Sequence, residues 1–136
     1  MTVSAELAAE QAGKGGTVIG WKLDRGQRDA LLKQFPPKFP NVVADHVTLA
    51  VRVARDAEFP SETEGEIVGW IDDNEGVEAM VVSIGGTTHR PDGSTYHITW
   101  SLAEGRRAKE SNDVIRRLGW RTLERPIPVK LQPARF

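Results

Sequence analysis

Two stretches of this chain alternate apolar and polar residues with the period of a β-strand, and both carry the same pattern. They are His46-Val47-Thr48-Leu49, within residues 45–53, and His97-Ile98-Thr99-Trp100, within residues 96–102. Successive strand side chains point to opposite faces, so a His and a Thr two apart share one face. The first stretch sets His46, Thr48, Ala50 and Arg52 on one side, with Val47, Leu49, Val51 and Val53 on the other. The second sets His97, Thr99 and Ser101 opposite Tyr96, Ile98, Trp100 and Leu102. A chain built on these strands must bury two apolar faces, and each opposite face presents an imidazole and a hydroxyl. With three histidines and nine threonines in 136 residues, two such pairs arise by chance about once in 80 sequences. The plainer alternative is two half-buried histidines beside ordinary strand threonines.

The remaining pattern fills in around these strands. Residues 1–16 are small, polar and glycine-containing and read as a flexible N-terminal lead, leaving 17–136 as a single domain. Residues 17–23 predict a strand with Thr17, Ile19, Trp21 and Leu23 on one face. Asp24 is placed to cap a helix running to about Phe35, with Ala30, Leu31 and Phe35 at helical spacing. Pro36-Pro37 ends it. Residues 66–72 and 77–84 flank the turn Asp73-Asn74-Glu75-Gly76 and read as a hairpin, and the Gly- and Pro-rich residues 85–95 read as a loop. A short helix is expected over 110–118, and Pro126 and Pro128 make the tail an edge strand or extended segment. With one His-x-Thr strand in each half, the expectation is an α+β fold of two lobes: antiparallel sheets flanking a central groove, helices outside.

Charge and composition narrow the function. A net charge of −1 argues against coating long duplex nucleic acid by electrostatics alone. Nine acids and no Lys or Arg lie within residues 56–78, whereas residues 104–136 carry nine bases against four acids, which suits a small or short phosphorylated ligand. No apolar run approaches bilayer-spanning length, and residues 1–16 lack the basic start and apolar stretch of a signal peptide. No cysteine is present for a disulfide or thiolate site. A cytoplasmic monomer is the expectation.

Two imidazoles and two hydroxyls suit phosphodiester chemistry. One proton must leave the attacking oxygen and another must reach the leaving oxygen; histidine does either near neutral pH. His46 and His97 are the candidate acid/base pair, with Thr48 and Thr99 holding phosphate oxygens, and no metal or other cofactor is required. The residues leave open which histidine is the base. Trp21 and Arg52 are candidate substrate contacts, for a base and a phosphate respectively, although Trp21 suits the core equally well. Ser111 reads as a helix cap with anion contact as the alternative, and His89 as a surface residue. A zinc site of His46, His97 and a carboxylate such as Asp45 lacks the close spacing of known motifs.

The paired motifs resemble those of the two-histidine (2H) phosphoesterase superfamily, whose mark is two His-x-Thr/Ser-x segments with apolar x. Leu23-Asp24, Phe35-Pro36-Pro37 leading to Asp45-His46, and Lys109-Glu110-Ser111-Asn112 are similar to small microbial and phage members. The chain is similar as well to the cyclic phosphodiesterase domain of tRNA ligases. The resemblance spans roughly residues 17–120 and implies a bilobal α+β fold and metal-independent hydrolysis. Implied substrates are 2′,3′-cyclic phosphate RNA ends, 2′–5′ linkages, cyclic nucleotides or short cyclic oligonucleotides. The chain is shorter between the motifs than many relatives, which favours a compact substrate. The rival class is a non-catalytic module binding a nucleotide or RNA end in the same groove.

Overall fold

The computed structural model describes residues 17–136, so the expected N-terminal lead lies outside the described residues. The elements in chain order are β1 (Thr17–Leu23), α1 (Arg25–Gln34), β2 (Asn41–Val42), β3 (His46–Val53), β4 (Glu64–Asp72), β5 (Val77–Ser83), β6 (His97–Leu102), α2 (Glu110–Leu118) and β7 (Arg121–Arg135). The Asp24 carboxylate accepts the Gln27 amide hydrogen at 3.0 Å and starts α1, as the sequence predicts. Among the described residues no helix is long and apolar enough to cross a membrane.

The seven strands form one antiparallel sheet in the order β2-β6-β5-β4-β7-β1-β3. β3 is one edge and β6 lies one strand from the other, yet their Cα atoms come within 8 Å. The sheet is therefore curled, and the architecture is α+β. The main core lies on the face of Trp21, Val47, Ile67, Ile98 and Trp100, closed by Leu31 and Phe35 around α1. The other face of β5 and β6 carries α2, with Val114 against Val77 and Leu102, and Ile115 against Ala79 and Val81.

The tail is the main departure from expectation. β7 is interior in strand order, pairing with β4 over its first part and with β1 over Leu131 to Arg135. Outside the junction at Lys130 and Leu131, each part pairs with a strand on one side only, so amide hydrogens on the other flank need no ladder partner and prolines are tolerated.

Bulges also correct the face assignments. On β3, Thr48 pairs with Gly20 but Ala50 with Ile19, so Leu49 is an extra residue and Ala50 turns to the Trp21 side. A second shift precedes Thr17↔Val53, and Arg52 there has φ +57. The alternation that would set Arg52 beside His46 does not carry through. On β6, Thr99 pairs with Ala79 but Ser101 with Glu78, so Ser101 leaves the His97 face. Its hydroxyl donates to Glu78 Oε1 at 2.6 Å inside the protein.

Candidate active site

The site is made where one chain segment leaves β6 and enters β3. Asn41 and Val42 pair with Leu102 and Ser101, and the Val43 and Ala44 amides continue the ladder to the Trp100 and Thr99 carbonyls at 2.9 Å. Continued two residues further, this register sets His46 opposite His97. At that point the chain turns away to pair with β1, Lys22 lying opposite His46. The turn is made at Ala44, which is fully buried with φ +41, a costly conformation for a residue with a Cβ. Basic side chains of α1 hold it: Arg28 donates to the Ala44 and Val43 carbonyls at 2.7 and 3.0 Å, and Arg25 to the Asp45 carbonyl at 3.0 Å.

Each imidazole is oriented through Nδ1. His46 Nδ1 lies 3.0 Å from Asp45 Oδ2, and His97 Nδ1 donates to the Thr95 carbonyl at 2.9 Å. Each Nδ1 therefore carries a hydrogen, leaving Nε2 of both rings for chemistry. Asp45 is a carboxylate: burial opposes its ionisation, but the bonds and charges of Lys22 and His46 prevail and hold its pKa at about 2. His46 is half-buried. Burial lowers its pKa below 6.5, against the raising effect of Asp45, and Lys22 and Arg25 add to the lowering. His97 is 5% exposed. Burial carries its pKa down to about 4, Thr95 opposes, and the charges of Arg90 and His46 lower it further. The two imidazoles thus sense each other, and both are neutral at pH 7.

Stability should register His97. The unfolded chain binds a proton as pH falls through 6.5, but the folded ring does so only near 4, so stability present above 6.5 is lost between those values. The expected loss is about 3 kcal/mol at most. Urea midpoints at pH 7 and 4.5 should separate more for the wild type than for His97→Asn; equal separations would refute the assignment.

Thr48 and Thr99 are both buried on the histidine faces. The Thr99 hydroxyl meets Ser111 Oγ at 2.9 Å and the Ala108 carbonyl at 3.3 Å, so Ser111 is a partner of the motif and not a cap. Trp21 is a core residue, 1% exposed, edge-to-face with Tyr96, its indole donating to the Glu62 carbonyl at 2.9 Å. It cannot stack on a base. Arg52 is exposed within the second bulge, and His89 is exposed as expected. Among the described residues no three His, Asp or Glu side chains converge as a metal site.

Two residues had no signal in the sequence pattern. Phe136 extends the pairing of β7 with β1, and its ring lies 4.8 Å from the His46 ring, packed with Val18 and Val51. Lys22 Nζ stands 5.0 Å from its centroid. Arg90, in the loop before β6, is 2% exposed. No family model, curated protein or solved structure matches the chain.

Proposed function

We propose that this chain is a cytoplasmic, monomeric, metal-independent phosphodiesterase of the 2H phosphoesterase type, acting on RNA-type phosphodiesters. The observation that carries the reading is the pair of imidazoles on β3 and β6, strands whose Cα atoms come within 8 Å, each ring held through Nδ1. The curl of the single seven-stranded sheet, which brings these two strands together, supports this reading.

His97 is the better base, because its buried ring is held neutral against a main-chain carbonyl. His46 is the better acid, because the Asp45 carboxylate stabilises its charged form. In opening a 2′,3′-cyclic phosphate, His97 Nε2 takes a proton from the attacking water as its oxygen bonds to phosphorus. One ester P–O bond then breaks, and His46 gives its proton to the departing ribose oxygen, leaving a phosphate monoester. Thr48 meets a non-bridging oxygen, and Thr99 does so by exchanging its bond to Ser111. Phe136 replaces Trp21 as the ring on which a base stacks, worth ~1–3 kcal/mol.

Incubation with 2′,3′-cyclic nucleotides, 2′–5′ dinucleotides and cyclic dinucleotides, followed by mass spectrometry, tests the reading. At least one class should be hydrolysed at a rate unchanged by EDTA. Bound but intact ligands after prolonged incubation would establish the binding-module alternative.

A further inference from the structure

The least satisfied group in the described structure lies beside this site. Arg90 opens the turn Arg90-Pro91-Asp92-Gly93, closed by the Gly93 amide donating to the Arg90 carbonyl at 2.9 Å. Its side chain is sealed from solvent, and Nε, Nη1 and Nη2 all lack a hydrogen-bond partner. The one opposite charge at hand is Asp92, 3.4 Å from Nη2, and that carboxylate already accepts the Ser94 amide and hydroxyl at 2.9 and 2.6 Å. A buried guanidinium whose five N–H donors make no hydrogen bond, with a single carboxylate at ion-pair distance, is costly. Arg90 lies near enough to His97 for its charge to depress the ring's pKa. A second orphan donor, Asn112 Nδ2, belongs to a residue lining a cleft of about 290 Å³ with Gly93, Ser94 and Thr95, the residues that lead from the turn to His97.

We propose that Arg90 is a phosphate-binding residue of the site, its guanidinium taking a non-bridging oxygen of the anion held between His46 and His97. The inference rests on the phosphodiesterase reading for the anion's identity, but its contact is testable without turnover. Guanidinium presents paired donors that match two phosphate oxygens, and the bond is charge-assisted. Contact requires the turn to yield. Gly86 and Gly93, at φ +82 and +90, have no atom within 4 Å of where a Cβ would stand, so open space borders the loop at both points. The anion would also add negative charge beside His46, where the Asp45 carboxylate alone faces the cations Lys22 and Arg25.

The experiment uses the full chain and inorganic phosphate as probe, following the melting temperature and calorimetric affinity in wild type, Arg90→Met and Arg90→Lys. Arg90→Met removes the guanidinium at similar volume and leaves Asp92 with its bonds from Ser94, so its melting temperature without phosphate serves as that variant's own reference. Phosphate should raise the wild-type melting temperature, bind Arg90→Met about tenfold or more weakly, and bind Arg90→Lys with intermediate affinity. Equal phosphate affinity in wild type and Arg90→Met, or no binding to wild type, overturns the proposal. A wild type that binds phosphate through Arg90 yet hydrolyses no diester sinks the catalytic reading alone. Hydrolysis with unchanged kinetics in Arg90→Met sinks the Arg90 contact alone.

Discussion

His46→Ala and His97→Asn are each expected to lower phosphodiester cleavage by roughly 10²–10⁴-fold, the range lost when a positioned acid or base is removed. Asparagine is chosen at position 97 because its amide can still donate to the Thr95 carbonyl, which the imidazole holds at 2.9 Å. Alanine at position 46 leaves Asp45 with its partners Lys22 and Arg25. The double variant should be little worse than either single one, since the two groups serve one proton-transfer cycle. The pH dependence separates their roles. A base must be deprotonated, so kcat/KM should rise through the His97 pKa near 4; an acid must be protonated, so it should fall through the His46 value, which burial holds below 6.5. The optimum for the free enzyme therefore lies on the acid side of 6.5. An anionic substrate raises both values, so the kcat optimum should lie at higher pH than that of kcat/KM. Near-wild-type turnover in either variant would end the acid/base reading.

What could be seen in the sequence was what short-range periodicity encodes. β1, Thr17–Leu23, and α2, Glu110–Leu118, fall on their expected bounds because alternation and a terminating glycine act within a few residues. The bulges at Leu49 and Trp100 were illegible. Each adds one residue against a partner strand, and the reason lies in that partner's path. Hence Ala50, Arg52 and Ser101 were assigned to faces they do not hold. Trp21 failed as a substrate contact for a related reason: its face was read correctly, but that face closes the main core. Phe136 and Arg90 lie 90 and 44 positions from His46 in the numbering of the chain, and only the closing of β7 onto β1 and the folding of the 85–95 loop bring them to the site. Arg25 and Arg28 were nearer to being readable. Both stand in the first turns of α1 and reach the carbonyls that shape the turn into His46.

Gly20→Ala is expected to damage fold and site together, by a few kcal/mol of stability and most of the activity. Gly20 pairs with Thr48 on the histidine face of β1. A Cβ there would overlap the Val47 carbonyl oxygen and meet Leu49 N at 2.9 Å and Thr48 Cα at 3.0 Å. All three are backbone atoms of β3, so no side-chain rotation relieves them and the strand itself must move. That strand carries His46 and Thr48, and the segment leading into it is held by Arg25 and Arg28. Displacement therefore opens the distance to His97, where an error of about 1 Å can cost ~10²-fold in rate. Gly26→Ala is the internal control. It lies in α1 with one side-chain oxygen at 3.5 Å, and alanine there should raise stability by up to ~1 kcal/mol through helix propensity. Urea unfolding of the two variants, read beside their cleavage rates, distinguishes a general intolerance of added bulk from a strand crossing that sets the site. A wild-type midpoint for Gly20→Ala would show that β1 and β3 are not in the close approach on which the position of His46 depends.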